Sequence, residues 1–299
     1  MHGIALKYFV EVARTGSLSA ASEQLHVAVS AISRQIVKLE EEAGAPLFER
    51  AARGMTLNDA GRLLLAHARR TLLESESVLR EIAGLHGAAR HEIRVACSEG
   101  PAQGFLPLAM ADFRRDWPQI RFALHVGSPL EATRRVAEGE ADLALTFNVE
   151  RGKGVTVRHS RRAPVYAVMA RSHPLAGRKA IGLAELGAYP LALSGAGTTT
   201  RRLFELGCSL DSVTLEPALS TNYSGALHGF VRQSDAIMLS GYVSVAWRLE
   251  LDGLVAVPIS NAELQSRTLQ LQVMQGRLLA PEVEAFIALL AGKLDALPM

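Results

Sequence analysis

The chain has 299 residues, of which 48% are hydrophobic, 21% charged and 5% aromatic. That composition supports about two cored domains and excludes a disordered or low-complexity protein. A formal net charge of +2 is too small to mark a nucleic-acid binder, so any such reading must rest on where the charges sit.

The two cysteines, Cys97 and Cys208, form no Cys-x-x-Cys pair. Neither a disulfide framework nor a metal site is expected, and a reducing cytoplasm is the expected compartment. No run approaches the roughly 18 continuous apolar residues of a membrane span. Lys7, Glu11 and Arg14 interrupt the N-terminus before an apolar stretch could form, so no secretory leader is expected.

In chain order, the first helix is expected over Ile4–Arg14, with Leu6, Phe9, Val10 and Ala13 on one face. Thr15-Gly16 stops it. Ser17 suits the N-cap of a second helix carrying Leu18, Ala21 and Leu25 inward. After a break at His26-Val27, a third helix is expected over Val29–Ala43 with Ile32, Ile36 and Leu39 inward, ended by Gly44 and Pro46. Three short helices with a tight second turn describe a helix-turn-helix, and Ala20-Ala21 permits close packing. The third helix turns Ser30, Ser33, Arg34, Gln35 and Lys38 away from its apolar stripe. Such groups can read base edges or hold phosphates, and Val29 can pack on a thymine methyl. Two extended runs about Arg53-Gly54 read as a wing, with Arg50 and Arg53 placed for the phosphate backbone. Residues 1–60 nevertheless carry six basic and seven acidic side chains. By pattern alone, a DNA surface and an ordinary solvated face stand level.

The stretch from Ser17 to Gly61 changes that balance. Ala20-Ala21, Leu25, Ser33-Arg34-Gln35-Ile36, Leu39-Glu40, Gly44, Leu47-Phe48 and Arg50, at these spacings, closely resemble the LysR-type regulator signature. The resemblance implies that Ser33 and Arg34 contact DNA from the recognition helix, with Arg50 and Arg53 helping from the wing. Ser17, Val29, Ser30, Gln35 and Lys38 complete the candidate DNA contacts. The sequence departs from the family at Ala28, Val29 and Ser30, where Ser-Gln-Pro is usual, which puts the operator sequence in question.

From about Asn58 to Leu85 the pattern is helical, with Asn58 as cap and Leu64, Ala68, Leu72, Leu79 and Ile82 as an apolar stripe. A helix of about 40 Å cannot bury that stripe on one small domain. The family's linker helix pairs with its twin in a dimer, and the same is expected here, against the alternative of a helix packed on its own chain. Residues 84–89 read as a hinge.

Beyond residue 90 the period changes. Strands are expected at Ile93–Cys97, Phe122–Val126, Leu143–Phe147, Val165–Ala170, Leu191–Leu193, Val213–Leu219, Ala236–Leu239 and Leu254–Pro258. Helices are expected at Phe105–Asp116, Pro129–Glu138 and Pro281–Leu294. The alternation suggests parallel α/β sheets, with the run Leu269, Leu271, Val273 returning to the first lobe, its residues alternating in and out. Ligands of such sheets bind beyond the strands' carboxyl ends. The loops there offer Ser98, Glu99 and Gly100; Gly127 and Ser128; Phe147 and Asn148; Ser194, Gly195, Thr198 and Thr199; and Thr221 and Asn222. Any one of these is as easily a cap or turn residue as a ligand contact.

Asp112-Phe113 with Trp117-Pro118, Glu140–Leu145 and His173-Pro174-Leu175-Ala176 resemble the LysR-type effector domain. The resemblance implies an N-terminal winged helix-turn-helix over residues 1–60, a linker helix and hinge over 61–90, and a two-lobed, periplasmic-binding-protein-like domain over 91–299. Lobe one would hold 91–162 and 267–299, and lobe two 163–266. It also implies double-stranded DNA with dyad symmetry as partner, a homodimer doubling to a homotetramer, and contact with RNA polymerase. No cofactor is expected beyond a small-molecule effector, and Glu99 raises the prospect of an amine on it. An enzyme built on Cys97 lacks any Gly-x-Ser-x-Gly, His-Glu-x-x-His or phosphate-loop support. An exported solute-binding protein would not need the helix-turn-helix.

Overall fold

A computed structural model describes residues 3–51, 54–84, 92–148 and 152–297. The chain forms two compact units, residues 1–89 with 276–278, and 90–275 with 279–299.

The first unit contains helices α1 (Gly3–Thr15), α2 (Leu18–Leu25) and α3 (Val29–Ala43), the hairpin β1 (Phe48–Ala51) and β2 (Gly54–Leu57), and the long helix α4 (Asp59–Gly84). Leu6, Phe9, Val12, Ala21, Ile32, Ile36 and Leu39 close on one core, joined by Leu64 and Ala68 of α4. His26 takes the left-handed conformation, φ 55°, at the sharp turn between α2 and α3. The hairpin leans on the turn after α1, where Met55 N donates to Gly16 O at 2.8 Å. Gly54, φ +127°, makes that approach possible, since a Cβ there would lie 2.4 Å from Gly16 O. Asn58 caps α4 by accepting from Gly61 N at 2.8 Å and ties it to the wing's entry by donating to Pro46 O at 2.8 Å. The stripe of α4 divides along its length. Leu64, Ala68 and Leu73 are buried, while Val78, Leu79 and Ile82 are exposed. The expected hinge lies, from residue 85 on, outside the described residues.

The second unit runs β3 (Glu92–Cys97), α5 (Glu99–Ala102), α6 (Phe105–Asp116), β4 (Arg121–Val126), α7 (Pro129–Ala137), β5 (Leu143–Asn148), β6 (Val155–Arg162), β7 (Val165–Ala170), α8 (Leu183–Leu186), β8 (Leu191–Ser194) and α9 (Thr199–Leu210). It continues through β9 (Leu219–Thr221), α10 (Ser224–Arg232), β10 (Ile237–Gly241), α11 (Tyr242–Val245), β11 (Leu254–Pro258), α12 (Ala262–Gln265), β12 (Thr268–Met274) and α13 (Pro281–Asp295). The strands form two sheets, β4-β3-β5-β12-β6 and β11-β7-β10-β8-β9. Each sheet builds its own lobe. The first is covered by α6 and α13 around Phe113, Phe122 and Phe286, with the rings of Phe113 and Phe286 5.1 Å apart. The second buries one face under α8, α9 and α12 and the other under α10 and α11.

The sheets correct the expectation of purely parallel pairing. β3, β4 and β5 are parallel, as are β8, β9 and β10, but β12 runs antiparallel to β5 and β6, and β7 antiparallel to β10 and β11. The chain passes between lobes at Ala163-Pro164 and again ahead of β12, so β7 and β12 join their sheets from the crossovers and not through a strand-helix-strand unit. Strand β6, whose burial alternates along its length, escaped the sequence reading, and the strand expected at Val213–Leu219 forms only at Leu219–Thr221. In β12 both faces are buried, not one. Gln272 is covered by α7 and accepts from Thr133 Oγ1 at 2.8 Å.

Candidate functional site

The candidate DNA surface of the first unit is the outer side of α3. Its apolar residues Ile32, Ile36 and Leu39 are buried, which leaves Val29, Ser30, Arg34 and Lys38 exposed and Ser33 and Gln35 half-buried. Ala28 occupies the N-cap position with no side-chain hydrogen bond. Ser17 is committed to capping α2, its hydroxyl accepting from Ala20 N at 3.3 Å. The acidic end of α3 has a local task, because Glu40 accepts from Leu47 N at 2.8 Å and holds the approach to the wing. Arg50 stands on β1 opposite Met55, and Arg53 lies outside the described residues.

In the second unit a cavity of about 540 Å³ opens between the two sheets. The carboxyl ends of β3, β4 and β5 face those of β8, β9 and β10 across it, as strand-end geometry requires. Ser98, Glu99, Gly100, Gly127, Ser128, Phe147, Ser194, Gly195, Thr198, Thr199, Thr221 and Asn222 all line it. Asn148 does not. Successive side chains of β5 point to opposite faces, so Phe147 faces the cavity and Asn148 turns away.

Several of these hydroxyls already have work. Ser128 accepts from Glu131 N at 3.2 Å and Thr198 from Arg201 N at 3.2 Å, capping α7 and α9. Thr221 accepts from Tyr223 N at 3.1 Å. Thr199, which the sequence offers as a ligand donor, gives its proton to Phe147 O at 3.0 Å and so clasps one lobe to the other. Glu99 forms a second clasp. Its Oε1 accepts from Ser224 N at 2.8 Å and from Ser224 Oγ at 2.7 Å, and Gln103 bonds Ser224 Oγ as well. The Ser98 hydroxyl, by contrast, is buried without a partner.

Other wall residues were not singled out in the sequence. Arg267 is fully buried, and its guanidinium lies 4.1 Å from the Phe147 ring centroid. Burial pulls its pKa down to about 9. Gly241 leaves room for it, since a Cβ there would stand 2.3 Å from an Arg267 nitrogen. His228 is 2% exposed with Nδ1 unpartnered, and burial, aided by Arg248, pulls its pKa down to about 4. Gln103, Ser224, Ser240 and Ser244 add polar groups. An arginine just ahead of a strand and a histidine in a helix carry no local signal of a pocket. Cys97 is fully buried and its thiol is pushed up to about 12, opposite to an activated nucleophile.

Two family profiles account for nearly all of this chain. Residues 4–62 match the bacterial regulatory helix-turn-helix of the lysR family, and residues 86–295 match the LysR substrate binding domain. The chain belongs to the LysR family. It is a LysR-type transcriptional regulator, with a DNA-binding helix-turn-helix and an effector-binding domain. It is 28% identical over 284 residues to the RuBisCO operon transcriptional regulator of Allochromatium vinosum, covering 94% of this chain and 92% of that one. It is 31% identical over 237 residues, 78% of this chain and 76% of the other, to a probable nitrogen assimilation transcriptional activator of a Synechocystis species. A full-length OxyR of Pseudomonas aeruginosa shares the fold at a TM-score of 0.63 with 20% identity, over 99% of this chain and 95% of that one. A full-length CbnR solved with its target DNA does so at 0.55 with 22% identity, over 97% and 99%. In this LysR-type regulator the cavity is the candidate effector site, and the outer side of α3 is the candidate DNA surface. No helix among the described residues is long and apolar enough to cross a membrane.

Proposed function

We propose that a small molecule enters the cavity between the lobes, changes their closure, and so governs how pairs of helix-turn-helix units engage a dyad operator. The observation that carries this reading is a single cavity walled by the strand ends of both sheets and spanned by two clasps, Thr199 to Phe147 and Glu99 to Ser224. A ligand that touches both walls interacts differently with open and closed lobes, which is the condition for shifting their equilibrium. Ser98, Glu99, Gly100, Gly127, Ser128 and Phe147 on one wall meet Ser194, Thr198, Thr199, Thr221 and Asn222 on the other.

On the DNA side, Ser33, Arg34, Gln35 and Lys38 enter the major groove with Val29 and Ser30 at the leading end of α3. Ser17 and the wing arginines Arg50 and Arg53 hold the backbone. The CbnR relative, solved on its target DNA, supports this mode. Dimers form through α4, double to a tetramer in the cytoplasm, and pass the signal to RNA polymerase.

A footprint on the DNA upstream of the gene, repeated across a metabolite panel, tests the whole scheme. A protected site with dyad symmetry, altered by one metabolite, is expected. Equal affinity for every fragment and for bulk competitor overturns it. Arg34→Ala should weaken operator binding by about 1–3 kcal/mol at fixed salt; unchanged affinity removes Arg34 from the contact surface.

A further inference from the structure

A short stretch of lobe one, α5 and the turn that follows it, grips lobe two at three points. At the first, Gly100 lies against α11, where a Cβ would stand 2.1 Å from Ser244 Oγ. At the second, Gly104 lies against Trp247, where a Cβ would stand 2.3 Å from two carbons of the indole. Neither glycine adopts the left-handed conformation, so what each position requires is space for the other lobe. The indole is oriented by its own lobe, its Nε1 donating to Ser244 O at 3.2 Å and the Arg248 guanidinium lying 5.1 Å from its ring centroid. Val243, on the same helix α11, is 2% exposed and belongs to the core cluster of lobe one.

The third point is Glu99, which caps a helix of the opposite lobe. Helix α10 opens at Ser224, and Tyr223 at its N-cap position makes no side-chain bond. The missing acceptor comes from across the cleft. Glu99 Oε1 accepts from Ser224 N at 2.8 Å and Ser224 Oγ at 2.7 Å, and Gln103 bonds the same hydroxyl. First-turn amides of a helix need an outside acceptor, and an ionised one makes the stronger bond.

Domain closure of a hinged binder is ordinarily completed by the ligand that bridges the two halves. Here the bridging groups belong to the chain: a capping carboxylate, two glycine seats, a valine in the neighbouring core, and the Thr199 bond to Phe147 O. A ligand that only fits lobes already closed shifts no equilibrium; one that favours the parted form does. We propose that α5 is an internal bolt which holds the lobes closed, so that the closed form is the resting state of this regulator and the effector acts by releasing α5. This rests on the effector-cleft reading above and gives the direction of its regulation.

The test uses the full-length protein with no metabolite added. Trp117→Phe leaves Trp247 as the single tryptophan. In that background Glu99→Ala should move the Trp247 emission to the red. It should also speed hydrogen exchange tenfold or more at the Ala163 crossover and in the first turn of α9, although neither segment bonds Glu99. Gly104→Ala should speed the same amides, and decides by exchange alone should Glu99→Ala fail to fold. The proposal is overturned if Glu99→Ala speeds exchange in α10 only, as loss of a local cap would, or leaves the Trp247 emission unmoved. An operator footprint of the same variant, expected to differ from that of the wild type, separates the two readings. Faster crossover exchange with an unaltered footprint would uphold the bolt and sink the coupling of lobe closure to DNA.

Discussion

His228 sits on α10 in the wall of the cavity, and burial holds its pKa at about 4 against 6.5 for a free imidazole. Arg248 reinforces the shift, while Asp252 and Glu99 oppose it. The folded ring stays neutral while the unfolded chain takes up a proton near pH 6.5. Stability from this group is therefore complete above that value and is lost as pH falls from 6.5 toward 4. The effect should be on the order of 1–3 kcal/mol. Urea unfolding of the wild type should weaken more between those two pH values than that of His228→Gln. Parallel pH profiles would show that His228 does not titrate in this way. At this scale Glu99, Ser98 and the threonines were legible as loop residues at strand ends. Asn148 was assigned to the same loop because position in the chain gives the loop but not the face a side chain takes. Asp142 shows another limit. It reads as part of a family motif, yet its work is to accept from Arg94 N at 2.8 Å and pair with the Arg94 guanidinium, tying β3 to the entry of β5.

Single elements carry a second set of consequences. Helix α3 starts at Ala28, which supplies no side-chain acceptor for the first-turn amides. Ala28→Ser should add such a cap and stabilise the N-terminal unit by about 0.5–1 kcal/mol, seen as a rise in Tm. No rise would mean that the first turn is already satisfied in solution. The helices of this unit were readable because a period of 3.6 with clear stops at Thr15-Gly16 and Gly44 leaves little choice. Strand β6 was missed although Val155 and Val157 alternate with Thr156 and Arg158, since six of its eight residues are charged or polar. Its identity as a strand comes from pairing with β12, a partner more than a hundred residues away.

For the molecule as a whole, α4 is the element on which the proposed assembly rests. It is 26 residues long, about 39 Å, and its inner residues Leu64 and Ala68 are consumed by the N-terminal core. Val78, Leu79 and Ile82 remain 53%, 66% and 49% exposed. An apolar run left open near the end of a long helix fits pairing with a second copy. Leu79→Asp should shift sedimentation from dimer or larger species toward monomer and reduce operator affinity at least tenfold. A variant that remains fully assembled would place the interface elsewhere. The sequence by itself determined the helix-turn-helix, the long helix, the α/β alternation and most loops at its strand ends, because these rest on local periodicity and caps, and it reached the two lobes through the resemblance to the LysR-type effector domain. Only the tertiary structure decided the mixed direction of the sheets, the clasps Thr199–Phe147 and Glu99–Ser224, and the presence of Arg267 and His228 in the cavity wall. Those depend on which distant segments share a sheet or a pocket, and a buried charge reveals itself only when its surroundings are known.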